Sequence, residues 1–458
     1  MRILFHSNAD WTTTGYGTQT RIFVPRIASL GHEVIVSAFY GLNGASTSYN
    51  GHLVLPGGQD AYGSDVIAAH IANTGANAAI SLMDAWVLDR GQIRAIIESG
   101  VPFFCWCPVD CQPLGTADEA FFRESGARPV AMSRHGQAEF AKVGIHAAYV
   151  PHGIETDVFK PSGDRLALRK KYKMDNRFIV GISQANKDQI RKAWAEQMEA
   201  FARFRRRHPE ANALLSVHAL RAAPTGLNLL RMAERKGVAD AIAFNDNYAM
   251  TVGAITPQML AEWCEVCDVV MARSYGEGFG LTPLEALSCG TPVIGGDFSA
   301  MAEVCGVGWR VPGQQFWNEH HGSDWSVPLI GHTCSACGHV DGLEAALELA
   351  YEAWKTDQMP ELREKARAFA LQYDADLVLD KYWKPVLAEI ESMTRGATPL
   401  RPLERARDAT LARLQEAYGA GHLDAGAFGE RAQRALSAAG AEDLDALVAD
   451  LPDAAVAA

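Results

Sequence analysis

Short apolar runs separated by amphipathic stretches set the rhythm of this chain. Residues 2–7 read as a buried strand, apolar residues recur at helical spacing over 22–30 up to Gly31, and 32–38 form a second, β-branched strand. Further strands are expected at 79–82, 102–106, 129–132 and 147–150, with helical segments between them. That alternation specifies a parallel sheet covered by helices on both faces. A polar stretch, VPHGIETDVFKPSGD, interrupts it with Pro151, Gly153, Pro161 and Gly163, and the rhythm then restarts. The second series places strands at 178–183, 213–218, 241–245, 268–272, 291–295 and 309–311. Helices are legible at 194–207, 227–236, 256–267 and 283–289. The pattern predicts two Rossmann-like domains in tandem, with ligands at the carboxyl ends of the strands. A long amphipathic helix over 374–393 follows, then a Pro/Gly-bearing linker and an Ala-rich helical tail.

The expected division is an α/β domain over 1–158, a second over 159–373, a helix over 374–396 packing back toward the first domain, a linker over 397–403 and a small helical module over 404–458. A chain of 458 residues exceeds one ordinary core, in keeping with two large domains and an appendage. The net charge of -12 argues against a nucleic-acid partner, which selects a basic face. Nine cysteines, several inside apolar runs, read as reduced buried thiols. No apolar run reaches the roughly 18 residues of a spanning helix, and MRILFHSN lacks the apolar core of a secretory signal. The expectation is a cytoplasmic protein, with peripheral attachment to the inner membrane face left open.

The chemistry concentrates in SYGEGFGLTPLEALSCGTPVIGGD, residues 274–297. Gly278, Phe279, Gly280, Leu281 and Thr282 lead into a helix, where free backbone N–H groups attract anions and glycines admit a phosphate close to the main chain. Thr282 reads as the N-cap, Pro283 as the first helical residue and Glu285 as the closing member of a capping box or, alternatively, a ligand contact. Glu277 precedes the helix, has no capping duty and suits sugar hydroxyls. In VGISQANKDQIRKAW, Arg191 and Lys192 precede a helix, where positive charge is mildly unfavourable unless it serves a ligand; Lys187 is a weaker candidate.

Glu277 and Glu285, with seven residues between them in EGFGLTPLEALSCGTPVIGGD, resemble the Glu-x7-Glu signature of the large retaining GT-B glycosyltransferase family. VPHGIETDVFKP resembles that family's interdomain segment, VGISQANKDQIRKAW its basic strand–turn–helix, and AMAEVCGVGWRVPG the passage after the Glu motif. The resemblance runs over residues 1–393 and implies a GT-B fold, a nucleotide-diphosphate sugar as donor, retention of configuration and no metal. It implies that Glu277 holds the donor sugar, Glu285 the ribose, the backbone around Gly278–Leu281 the sugar and distal phosphate, and Arg191 with Lys192 the diphosphate.

In the first domain Gly15-Tyr16-Gly17-Thr18 resembles the family's acceptor-side glycine loop, so Gly15 and Gly17 are expected beside the donor phosphates. A dinucleotide fingerprint fails there, because Thr20 stands where it needs glycine and no acid ends VIVSAF. Where the family commonly has a catalytic-site His, WCPVDCQPLG offers Asp110, which can bind sugar hydroxyls or simply form a turn. Asp246 can lie near the base or in a turn. Cys334 and Cys337 with His332 and His339 make one CxxC without a second pair, so a non-metal loop is expected, and Cys264 with Cys267 are expected in the core. Asp374-Ala-Asp376 spells a DxD, yet it opens a helix where acidic caps belong. The tail resembles a short bacterial domain of unknown function. A carbohydrate or lipid-linked acceptor completes the reading; the alternatives are a GT-B sugar-nucleotide epimerase or phosphorylase, or a non-catalytic sugar-nucleotide binder.

Overall fold

The computed structural model describes residues 1–313, 315–316, 327–328, 335–394 and most of 410–451. The first domain is built on β1 (Arg2–Asn8), β2 (Glu33–Tyr40), β3 (Thr47–Tyr49), β4 (His52–Leu55), β5 (Ala78–Leu82), β6 (Phe103–Cys107), β7 (Arg128–Ala131) and β8 (Ala148–Tyr149). They form one sheet in the order β3-β4-β2-β1-β5-β6-β7-β8. Every pairing is parallel except the β3–β4 hairpin. β5 and β6 are buried throughout, as strands covered on both faces must be.

The second sheet comprises β9 (Ile179–Ser183), β10 (Leu214–His218), β11 (Ile242–Phe244), β12 (Val269–Ala272), β13 (Val293–Gly296) and β14 (Gly308–Val311). Its order, β11-β10-β9-β12-β13-β14, is wholly parallel and reverses direction of growth between β9 and β12. Such a reversal opens a crevice at the strands' carboxyl ends. The first sheet has the same reversal between β1 and β5.

The expected long helix over 374–393 runs without a gap as Ala375–Val378, a π turn at Leu379–Trp383 and Lys384–Thr394. Asp374 caps its start by accepting from the Asp376 and Leu377 N–H groups, and Asp376 pairs with Arg26 at 2.7 Å. The DxD is therefore a cap and an ion pair. Trp383 is fully buried against Phe23 and Trp106 of the first domain, and an isolated bridge joins Ile154 to Asp374. The 374–394 segment thus lies on the first domain although it follows the second.

The seven described cysteines are buried and unbridged, and Cys264 and Cys267 pack in the core as their apolar spacing requires. Residues 397–403, expected as a linker, lie outside the described residues, as do His332 and Cys334. In the tail, Ala425–Ser437 is capped by Asp424, and Arg431 forms a bidentate pair with Asp450 at 2.6 and 2.7 Å. Leu414, Leu423, Val448 and Leu451 gather there in a small cluster of their own. Among the described residues no helix is long and apolar enough to cross a membrane.

Candidate active-site cleft

A cavity of about 780 Å³ lies between the carboxyl ends of the two sheets. Its walls are continuations of strands. From the first domain come Asn8 at the end of β1, Asp84 two residues beyond β5, Asp110 beyond β6 and His152 beyond β8. From the second come Lys187, Arg191 and Lys192 beyond β9, and Glu277 to Thr282 beyond β12.

The basic turn and the acidic loop are stitched together by backbone. The Tyr275 N–H donates to the Arg191 carbonyl at 2.7 Å, and the Ser274 hydroxyl donates to that carbonyl at 2.9 Å. Arg191 Nη1 donates to the Gly276 carbonyl at 3.1 Å and lies 3.6 Å from the Glu277 carboxylate. Lys192 Nζ forms a short ion pair with Glu277. Burial would raise the Glu277 carboxyl, but Lys192 and Arg191 outweigh it and hold the group below its usual value. Burial lowers Lys192 despite that carboxylate. Ala193 enters the following helix, Trp194–Arg207, with a left-handed φ of 47°. The two cations therefore sit just outside the helix, turned into the cavity wall.

Glycines in the 276–280 loop permit three different approaches. A Cβ on Gly278 would lie 2.1 Å from Pro108 Cβ, so this glycine admits the first domain. Gly276 faces the Asp110 carbonyl less tightly, 3.1 Å from its virtual Cβ. Gly280 has φ 110° and is the N-cap of the helix Leu281–Ser288. That corrects the capping expectation: Leu281 is the first helical residue, Thr282 and Pro283 follow it, and no side chain caps the start. A left-handed glycine lets the helix begin two residues earlier than a threonine cap would.

Glu285, one turn inside that helix, is 8% exposed and does not line the cavity. Burial pushes its carboxyl up to about 7, with only Arg21 opposing. Phe279 is buried against the His152 ring at 4.9 Å, so its backbone rather than its side chain is available to a ligand. Across the cleft Gly15 lines the cavity, its virtual Cβ 3.6 Å from Leu281. Gly17 does not line it. It is pressed on the 9–12 turn, with the Ala9 and Thr12 carbonyls 2.8 and 2.7 Å from a virtual Cβ. Asp246 caps residues 247–251 by accepting from the Ala249 N–H at 2.6 Å, the turn role.

Asp110 lies in the cavity, where burial, Asp84 and Glu277 raise its carboxyl to about 6 against Arg191. Asp84 and Asp118 stand beside it, both raised first by burial, Asp118 to about 8. The Tyr16 hydroxyl donates to Asp84 at 3.2 Å. Asp84, Asp118 and His152 are not singled out by sequence motif. The available signal is positional: each of Asp84 and His152 falls within a few residues of a strand's carboxyl end, where such sheets bind ligands. Among the described residues no group of three His, Cys, Asp or Glu side chains is placed to hold a metal ion.

Residues 179–317 match the family model described as glycosyl transferases group 1. That stretch is similar to a group 1 glycosyltransferase domain. It contains the basic turn, the Glu277 loop and Glu285. Residues 400–452 match a second model, the DUF1707 SHOCT-like domain, in agreement with the resemblance noted for the tail. The D-inositol 3-phosphate glycosyltransferase of Stackebrandtia nassauensis is 35% identical over 164 residues, 33% of this chain and 34% of that protein. The protein of the same name from Pseudarthrobacter chlorophenolicus is 29% identical over 227 residues, 48% and 49% of the two chains. The chain spans about a third of the length of the first curated relatives it matches.

Among solved structures, sucrose-phosphate synthase from Thermosynechococcus elongatus superposes with a TM-score of 0.63 at 15% identity, covering 85% of this chain and 99% of that one. Anabaena HepE, solved in complex with UDP-glucose, gives 0.59 at 14% identity, covering 85% and 100%. These likenesses establish the fold around the group 1 domain as GT-B.

Proposed function

We propose that this protein is a glycosyltransferase that moves a sugar from a nucleotide-diphosphate sugar to a carbohydrate or lipid-linked acceptor, with retention and without a divalent metal. The observation that carries the proposal is the junction of Arg191 and Lys192 with Glu277 at a glycine-opened helix start, inside a group 1 domain. In this reading the diphosphate takes over the two cations. They neutralise the charge that grows on the departing nucleotide, the part a metal plays elsewhere. Glu277, freed from Lys192, accepts hydrogen bonds from the donor sugar. The N–H groups of Leu281 and Thr282, at the helix start, face the distal phosphate. Glu285, buried just behind this start, would meet the ribose only once its side chain turns toward the cavity.

The sugar and base are left open, and a melting-temperature screen against UDP-, GDP-, ADP- and TDP-sugars identifies them. A ligand bound only by the folded chain raises its melting temperature by mass action. A shift from one nucleotide class, retained in EDTA, is the expected result. No shift from any of them, or one that requires added magnesium or manganese, contradicts the proposal.

A further inference from the structure

We propose that the acceptor bound in this cleft carries an amino group and no phosphate: an amino sugar or aminocyclitol whose ammonium settles among Asp84, Asp110 and Asp118. The inference rests on reading the cleft as a transferase site and assigns its first-domain wall.

That wall offers hydrogen-bond acceptors and negative charge. Among the described residues it contributes three carboxylates to the cavity and neither Lys nor Arg. The cavity's cations, Lys187, Arg191 and Lys192, all come from the second domain, on the donor side. Two buried groups on the same wall await a ligand. Asn8 is 6% exposed; its amide nitrogen donates to Thr14 at 2.6 Å, while its Oδ1 has no partner. His152 is 4% exposed, and neither ring nitrogen has a partner. Its ring is fixed between Trp106 and Phe279, each with its centroid 4.9 Å away. Burial lowers its pKa to about 3, so it is a neutral imidazole with one donor and one acceptor.

An unmet buried polar group costs free energy until a ligand satisfies it. The unmet Asn8 Oδ1 and one imidazole nitrogen, beside carboxyls that an entering cation would ionise, together ask for a ligand rich in donors. A protonated amine supplies three N–H donors and a positive charge; ring hydroxyls supply the rest. A phosphate supplies acceptors and negative charge, which these carboxylates repel. The mutual coupling of the acids agrees: Asp84 and Asp110, after burial, help hold Asp118 un-ionised, and an entering cation relieves all three. Trp86, 46% exposed, lines the same cavity.

The test titrates the full-length chain at neutral pH with three matched probes, glucosamine, glucose and glucose 6-phosphate, and separately with UDP and GDP. Glucosamine is expected to bind about tenfold or more tightly than glucose, the difference a charge-assisted hydrogen bond makes, and glucose 6-phosphate more weakly than both. Asp84→Asn combined with Asp118→Asn should bring glucosamine down to the level of glucose and leave nucleotide binding intact, which also reports a folded chain. Equal binding of glucosamine and glucose, or preference for the phosphate ester, overturns the proposal with no variant needed. If the probe order holds but no nucleotide binds, the acceptor wall stands and the transferase reading falls.

Discussion

At the scale of the residue, the two glutamates of the motif do different physical work. Glu277 is an ionised carboxylate locked to Lys192 and Arg191. Glu277→Gln should lower kcat by about 100-fold or more, as loss of one transition-state contact does. Affinity for free nucleoside diphosphate should be unchanged or rise, because the cations lose their internal partner. Titration calorimetry beside steady-state kinetics reads both, and a variant with normal turnover would remove Glu277 from the sugar site.

Glu285 is a buried carboxyl raised to about 7 from 4.5. Between those values the native state holds a proton that the unfolded chain has released, so stability falls as pH rises through the window. Glu285→Gln removes that loss. Relative to wild type it should gain stability between pH 5 and pH 8, by about 1 to 3 kcal/mol in denaturant melts. A pH-independent difference would show that the carboxyl is not raised. The capping-box reading of Glu285 fails, because Gly280, not Thr282, opens the helix.

At the scale of the element, most of the fold is legible because each strand is a short apolar run bounded by turn residues. Trp194–Arg207 matches its sequence reading to the residue, β5 and β10 differ by one at an end, and β6 is shifted by one. What escapes the pattern depends on backbone geometry or on distant neighbours. The helix Gly15–Ser29 starts seven residues before its apolar periodicity does, through Thr14, whose side chain accepts from the Gly17 N–H. The β3–β4 hairpin is polar and exposed over β3, leaving no alternation to read. The π turn at Leu379–Trp383 occurs where Trp383 inserts against first-domain aromatics, a contact no local period encodes.

Glycines illustrate the same limit: a motif shows that glycine is present, not what approaches it. Gly17 reads as a phosphate neighbour but serves helix–turn packing. Gly17→Ala would force its methyl against two carbonyls and should destabilise the fold by about 1 to 3 kcal/mol, as overpacking does. A thermal melt checks this, and an unchanged Tm with weakened nucleotide binding would restore the phosphate role.

At the scale of the molecule, the site exists only where the two domains meet. Gly278 against Pro108, Gly15 against Leu281, and Glu303 receiving hydrogen bonds from the Arg134 backbone and the Tyr149 hydroxyl hold the first domain to the second. The second-domain wall of this cleft was legible from two contiguous motifs. On the first-domain wall only Gly15 and Asp110 were, because Asn8, Asp84, Asp118 and His152 are dispersed through the sequence and united only by the parallel sheet. The DUF1707-like tail has its own small apolar clusters and contributes no described residue to the cavity. A chain ending at Thr394 should therefore retain turnover within about twofold on a small acceptor; abolished transfer by a folded truncation would place the tail in the active site.

In the proposed reading this cleft transfers a sugar from a nucleotide-diphosphate donor using protein cations. The most direct measurement is release of free nucleoside diphosphate by the purified full-length chain in EDTA, with the donor that raises its melting temperature, for wild type and Glu277→Gln side by side. Wild type should release it undiminished by the chelator, and the variant about 100-fold less. No release without added metal, or equal release by the two proteins, would contradict it.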